Sequence, residues 1–81
     1  MGYHLRPIDK GSLGEDSKIQ EEYEEFMESL EQNNPVMAIL ELTDLLGAIE
    51  AYTSKYYNLS LEDLIKMTRR TQQAFKDGTR K

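Results

Sequence analysis

Residues 31–46 read EQNNPVMAILELTDLL. The segment Gln32–Asn34 consists of turn-forming residues, and Pro35 suits the first turn of a helix, where its missing N–H leaves no hydrogen bond unmade. The residues after Pro35 are mostly apolar and form a helical surface wider than one partner helix would cover. This stretch therefore predicts a tight turn that leads into the central helix of a helical protein.

Helical spacing of apolar residues also precedes the turn. Ile19 and Phe26 belong to a first helix that we predict over Ser17–Glu31. Asp16 or Ser17 is expected to cap its N-terminus, because short polar side chains accept hydrogen bonds from the free N–H groups there. The turn is therefore expected to join two antiparallel helices in a hairpin.

Two helices are predicted after the turn. The second covers Pro35–Lys55, and the third covers Ser60–Lys76, where Ser60 and the acidic residues after it form a capped start. Gly78 is expected to end the third helix, because glycine readily adopts the left-handed conformation found at helix ends. The residues expected to form the buried stripe of the third helix are Leu61, Leu64, Ile65, Thr68 and Phe75.

The chain of 81 residues is predicted to be a single all-α domain without strands. We expect residues 1–16 to form an irregular arm, residues 17–78 a helical domain and residues 79–81 a basic tail. Three short helices bury little apolar surface for the conformational entropy they lose, so self-association is expected. Twofold symmetry is the commonest solution, which predicts a helical-bundle homodimer or a homotetramer built as a dimer of dimers.

The composition of the chain excludes several classes of function. There is no cysteine, which removes disulfides, thiolate zinc sites and cysteine nucleophiles. The net charge of −5 argues against binding of a nucleic-acid polymer, which requires a positive face for the phosphates. No apolar run is long enough to cross a membrane, so we expect a cytoplasmic protein without a membrane partner.

Two pairs of acidic residues occupy matching positions in the predicted hairpin. On the first helix, Glu22 and Glu25 lie three residues apart. On the second, Glu41 and Asp44 have the same spacing and interrupt an otherwise apolar segment. The two pairs are placed symmetrically about Asn33, inside the turn, so the four side chains meet at two adjacent levels of an antiparallel hairpin. Such a cluster repels itself unless a cation neutralises it, and oxygen ligands favour Mg²⁺, with Mn²⁺ as a substitute.

The other acidic residues of the first helix have a simpler interpretation. A run of charges on one helix is usually a face turned to solvent. For Glu21 a second role is also open, since it directly precedes Glu22 and its carboxylate could orient a ligand or a water molecule. The residues expected on the solvated face are Glu21, Glu24, Glu28 and Glu31.

The same acids carry a motif that resembles a known family. Glu21-Glu22-x-x-Glu25, followed by Glu41-x-x-Asp44, resembles the signature of the MazG-like, all-α nucleotide pyrophosphatase superfamily, and the likeness covers most of the chain. The resemblance implies hydrolysis of a nucleoside triphosphate to the monophosphate and pyrophosphate by a dimer or tetramer. It also implies magnesium ligation by Glu22, Glu25, Glu41 and Asp44. By position, Glu22 or Glu25 would accept the proton of the attacking water, and a helical pattern does not choose between them.

A basic segment occupies the end of the chain. From Lys66 to Lys81, six basic residues stand against Asp77 alone. This segment resembles the basic end of family members, and an acidic metal site needs positive partners for a triphosphate. A solubilising tail is the simpler interpretation. The residues predicted to contact substrate phosphates are Lys66, Arg69, Arg70 and Lys76, together with Lys18, one turn before Glu22.

Two other functions fit the same scaffold. One is a catalytically inactive helical module that serves in interaction or regulation. The other is the related phosphoribosyl-ATP pyrophosphohydrolase of histidine synthesis, which shares the helices and the metal acids. Release of pyrophosphate from a panel of nucleotides, with magnesium and with a chelator, separates the first alternative from an enzyme, and substrate preference separates the second.

Overall fold

The computed structural model describes residues 5–78. It contains three helices, α1 (Asp16–Glu31), α2 (Pro35–Tyr57) and α3 (Leu61–Lys76), and no strand within the described range. The predicted all-α class with three helices is therefore confirmed. The first four residues of the predicted arm and the predicted basic tail, residues 79–81, lie outside the described residues.

The N-terminus of α1 differs from the prediction. Glu15 is the N-cap residue, its side chain makes no capping hydrogen bond, and Asp16 is already helical. The prediction that Asp16 or Ser17 caps the helix is therefore wrong. The Ser17 hydroxyl instead accepts a hydrogen bond of 3.1 Å from the Ser12 N–H, which fixes the arm where it enters the helix.

The turn between α1 and α2 follows the sequence closely. Asn33 adopts a left-handed conformation with φ 54°, which asparagine tolerates better than most residues. The Asn34 side chain accepts a hydrogen bond of 3.1 Å from the Met37 N–H, and Pro35 occupies the first turn. These local contacts hold α1 and α2 as an antiparallel hairpin.

The later helix ends are set by their caps. Helix α2 ends at Tyr57, two residues beyond the predicted Lys55, and the residue after it, Asn58, is the C-cap with φ 54°. Ser60 is the N-cap of α3, one residue outside the helix, and forms a capping box with Asp63. Gly78 has φ 73° directly after the cap residue Asp77, which agrees with its predicted role at the helix end.

Several acidic side chains of the hairpin are buried, whereas large apolar side chains of α2 are exposed. The α1–α2 pair packs along its length, whereas α3 makes few contacts with either helix. Ala38 and Ala48 are the buried apolar residues of the described chain, while Val36 and Ile39 of α2 are 68% and 63% exposed. The predicted buried stripe of α3 is wrong for a single chain, since no residue of α3 is buried and Phe75 is 52% exposed.

The arm lies along α1 in the opposite direction. The backbone N–H groups of Leu5 and Arg6 donate to Glu28 Oε2 at 2.7 and 3.2 Å. Further along, the Gly11 N–H donates to Glu21 Oε1 at 2.8 Å. A Cβ added to Gly11 would lie 2.3 Å from the carbonyl of Ser17, so the arm and the helix backbone are in direct contact.

These contacts overturn part of the prediction of a solvated acidic face. Glu21 is 6% exposed and Glu28 is 3% exposed, because the arm covers them. Glu31 is exposed, as predicted, and forms a two-pronged ion pair with Arg6. Glu24 is half-buried and accepts a hydrogen bond from Gln20.

Among the described residues, none of the three helices has the length and apolar character that crossing a membrane requires.

Candidate metal centre

The hairpin brings the four predicted metal ligands together. Carboxylate oxygens of Glu22, Glu41 and Asp44 lie within 4.8 Å of one another, and a second group with the same limit contains Glu21, Glu22 and Glu25. Glu22 belongs to both groups and is therefore the centre of the cluster. The acids converge because α1 and α2 are antiparallel about the turn at Asn33, as their spacing predicts, and metal binding by them stays a prediction.

Burial differs across this acidic cluster. Glu22 is 6% exposed and Glu41 is 8% exposed, whereas Glu25 is half-buried and Asp44 is exposed. Burial of ionised carboxylates is costly unless they are paired, hydrogen-bonded or bound to a cation. The cluster therefore has a buried side at Glu22 and Glu41 and an open side at Asp44.

The cost of this arrangement shows at Glu41. Burial raises the pKa of the Glu41 carboxyl from 4.5 to about 7, with a hydrogen bond to Asp44 and the charges of Glu25, Asp44 and Glu22 as further causes. A raised carboxyl pKa means that burial and nearby negative charge disfavour the ionised form. This is the electrostatic condition that a divalent cation would relieve.

Glu22 has one oxygen with a partner and one without. Glu22 Oε2 lies 3.0 Å from Lys18 Nζ, but the buried Oε1 has no hydrogen-bond partner in the described structure. An unpaired buried carboxylate oxygen is unusual, because buried polar atoms are nearly always satisfied. The donor set around it consists of carboxylate oxygens, which are the ligands preferred by hard cations such as Mg²⁺ and Mn²⁺. The residues present thus fit such a cation.

Glu21 binds the backbone of the arm, although it also lies beside the cluster. Its Oε1 accepts hydrogen bonds from the Gly11 N–H at 2.8 Å and from Lys18 Nζ at 3.2 Å. The Gly11 N–H is the largest cause that lowers the pKa of the Glu21 carboxyl, followed by Lys18. Sequence reasoning missed this role, because a backbone N–H leaves no signature in the sequence of the arm.

A cavity of about 640 Å³ opens beside the cluster. Lys18, Glu22 and Asp44 line one side of it, and Leu13 of the arm also contributes. Ligand sites of this volume hold molecules of nucleotide size. The rest of the lining comes mainly from small and hydroxyl-bearing residues: Thr43, Gly47, Ala48, Glu50, Ala51, Ser54 and Ser60.

Only one of the predicted phosphate contacts reaches this cavity within a single chain. Lys18 lines it. The remaining predicted contacts are exposed along α3, and none of them is part of the cavity lining; they are Lys66, Arg69, Arg70 and Lys76. Their role in phosphate binding stays a prediction.

Comparisons of the chain with models of protein families, with curated proteins and with solved structures found no match. Three features of the molecule itself bear on the chemistry of this acidic cluster. These are the convergence of the carboxylates, the unpaired buried oxygen of Glu22 and the adjoining cavity.

Proposed function

We propose that this chain is a magnesium-dependent nucleotide pyrophosphohydrolase, similar to the MazG-like family, that hydrolyses a nucleoside triphosphate to the monophosphate and pyrophosphate. The observation that carries the proposal is the convergence of Glu25, Glu41 and Asp44 on Glu22, whose buried Oε1 has no partner within the described chain. The proposed location is the cytoplasm, where nucleoside triphosphates are abundant.

The acids of the cluster would hold Mg²⁺, with Mn²⁺ as a substitute. When bound, the ion supplies Lewis acidity that offsets charge on phosphoryl oxygens and lowers the pKa of a water molecule. Glu22 or Glu25 would accept the proton of the attacking water, and the adjoining cavity would hold the rest of the nucleotide. The ligand set is Glu22, Glu25, Glu41 and Asp44.

Assembly as a homodimer or a dimer of dimers is part of this proposal. The accessible surface of 6332 Å² exceeds the roughly 5,000 Å² expected for a folded monomer of this mass. The radius of gyration is 14.8 Å, against about 12 Å for a compact chain of this length. Both differences support association with a second copy. In this proposal the second copy covers the apolar exterior of α2 and the exposed face of α3, and Arg69 or Arg70 acts in a site that two subunits share.

The alternative is a catalytically inactive helical module that binds another protein. The observation that favours it is the same exposed apolar surface, which includes Val36, Ile39 and Leu40 at 68%, 63% and 51% exposure. The two functions differ in what they require of the acidic interior. An interaction module has no need of an unpaired buried oxygen on Glu22, whereas a metal enzyme uses such an oxygen as a ligand.

Hydrolysis of a nucleotide panel tests the proposal. Purified protein is incubated with canonical ribo- and deoxyribonucleoside triphosphates and with phosphoribosyl-ATP, in magnesium or in a chelator, and pyrophosphate release is measured. We expect release with magnesium alone and its loss in the Glu41→Gln variant. Glu24→Gln, which removes a carboxylate of α1 outside the cluster, is the matched control and should stay active. Turnover by Glu41→Gln at the rate of the parent would exclude the proposed site.

A further inference from the structure

Lys18 lies between the acidic cluster and the cavity. Its Nζ is 3.0 Å from Glu22 Oε2 and 3.2 Å from Glu21 Oε1, and its side chain is 26% exposed. It also lines the cavity. The ammonium group therefore contacts two carboxylates and lies at the edge of the space proposed for the substrate.

One ammonium group only partly neutralises the cluster. Both ion pairs of Lys18 Nζ are with carboxylates of α1, those of Glu21 and Glu22. The buried Oε1 of Glu22 nevertheless has no partner in the described chain, and carboxylate oxygens of Glu22, Glu41 and Asp44 lie within 4.8 Å of one another. A divalent cation at the cluster would supply more charge than Lys18 and would repel its ammonium group.

We propose that Lys18 is an internal counterion that a divalent cation displaces from Glu22, and that the freed ammonium group then binds a phosphate of the nucleotide in the cavity. This inference rests on the proposed function and adds an exchange of partners to it. Glu21 keeps a hydrogen bond from the Gly11 N–H after Lys18 leaves, so its carboxylate is not left bare.

The type of side chain supports an exchange. Lysine carries a compact charge on a flexible four-carbon stem, so its ammonium group moves between partners at little geometric cost. Arginine would bind the carboxylates through a fixed two-pronged fork and release them less readily. Lys18→Met should therefore raise the affinity for the metal ion and Lys18→Arg should lower it. A purely structural role of Lys18 does not predict opposite changes.

Calorimetric titration of the metal-free protein with Mn²⁺, in the absence of nucleotide, tests whether the cation displaces Lys18 from Glu22. We expect Lys18→Met to bind Mn²⁺ about tenfold more tightly than the parent, since repulsion between a divalent ion and a nearby ammonium group is removed. Lys18→Arg should bind it more weakly than the parent. Lys55→Met is the matched control, because Lys55 also pairs with a carboxylate, that of Glu15, and should leave the affinity unchanged. A Lys18→Met protein that binds Mn²⁺ no more tightly than the parent overturns the inference.

Binding of magnesium pyrophosphate at saturating Mg²⁺ tests the second half. Lys18→Met should bind pyrophosphate at least tenfold more weakly than the parent, although it binds metal more tightly. Equal pyrophosphate affinity in the two proteins refutes the transfer of Lys18 to phosphate. Circular dichroism and melting of each variant separate these effects from misfolding. The proposed function fails separately, when the parent binds Mn²⁺ but releases no pyrophosphate from any nucleotide.

Discussion

Replacement of Glu41 by glutamine should make the metal-free protein more stable near neutral pH. The pKa of Glu41 is raised from 4.5 to about 7 in the folded chain. A carboxyl with a raised pKa binds its proton more tightly in the folded state than in the unfolded state. Stability of the parent should therefore fall as the pH rises from 4.5 to about 7 and level off above that range. Glutamine keeps the shape, carries no charge and removes this dependence.

The size of the stability gain follows from how far the pKa of Glu41 is raised. A rise from 4.5 to about 7 corresponds to an upper limit of about 3 kcal/mol. The cluster opens to a cavity and to solvent at Asp44, where screening weakens the interaction. We therefore expect Glu41→Gln to exceed the parent in free energy of unfolding by roughly 1–3 kcal/mol at about pH 8, with equal stabilities near pH 4.5.

Urea denaturation in the presence of a chelator measures this difference. Both proteins and the Glu24→Gln control are unfolded at several pH values between 4.5 and about 8. As the pH falls below 4.5, the parent should also lose stability, because carboxyls with lowered pKa values lose their partners when they are protonated. Parallel pH curves for the parent and Glu41→Gln would refute the reasoning. The carboxyls with lowered pKa values are those of Glu15, Glu21, Glu31 and Asp63.

Three further predictions concern the arm, the exterior and the basic helix. Gly11→Ala should lower the free energy of unfolding by about 1–3 kcal/mol, because its Cβ meets the Ser17 carbonyl at 2.3 Å. Gly47→Ala, in the middle of α2, meets nothing within 4 Å and should not lower it. Ile39→Glu should halve the molecular mass measured by light scattering and keep the helix content. Gln32→Glu, in the turn, is the control for added charge and should keep the parent's mass. An unchanged mass of Ile39→Glu would contradict the proposed interface. Arg69→Ala or Arg70→Ala should lower kcat/KM by about tenfold to a thousandfold, or roughly 1.4 to 4 kcal/mol, while Mn²⁺ affinity stays constant. Arg80→Ala is the comparison, and turnover at the parent rate by the double Arg69/Arg70 variant would assign α3 no role in the site.

The hairpin could be predicted from the sequence because every determinant of it is local. Pro35 and Asn34 define the turn through their own backbone and side-chain preferences. Helix geometry then fixes which residues of the two helices face each other. This is why the spacing of Glu22 and Asp44 sufficed to predict that the acids converge.

The arm and the exterior could not be predicted in the same way. The arm docks largely through the N–H groups of Leu5, Arg6 and Gly11, which every residue except proline carries, so no residue type marks these contacts. The exposed ion pair of Arg6 with Glu31 adds a side-chain contact. Periodicity identified the apolar residues of α3 but not what covers them, because that depends on tertiary or quaternary contacts. Phe75 therefore matched the helical pattern and is nevertheless 52% exposed in the single chain.

The docking of the arm through backbone groups has a consequence for mutational tolerance. Side chains at Leu5 and Arg6 are exposed, and their N–H groups provide the contacts with Glu28. A saturation scan should therefore find these two arm positions permissive to most residues except proline, which lacks the N–H. The strict positions should be Glu28, which accepts both hydrogen bonds, and Gly11, where any side chain meets the helix backbone. The arm is thus held by a few constrained positions on α1 and a single glycine, and its remaining exposed positions are open to substitution.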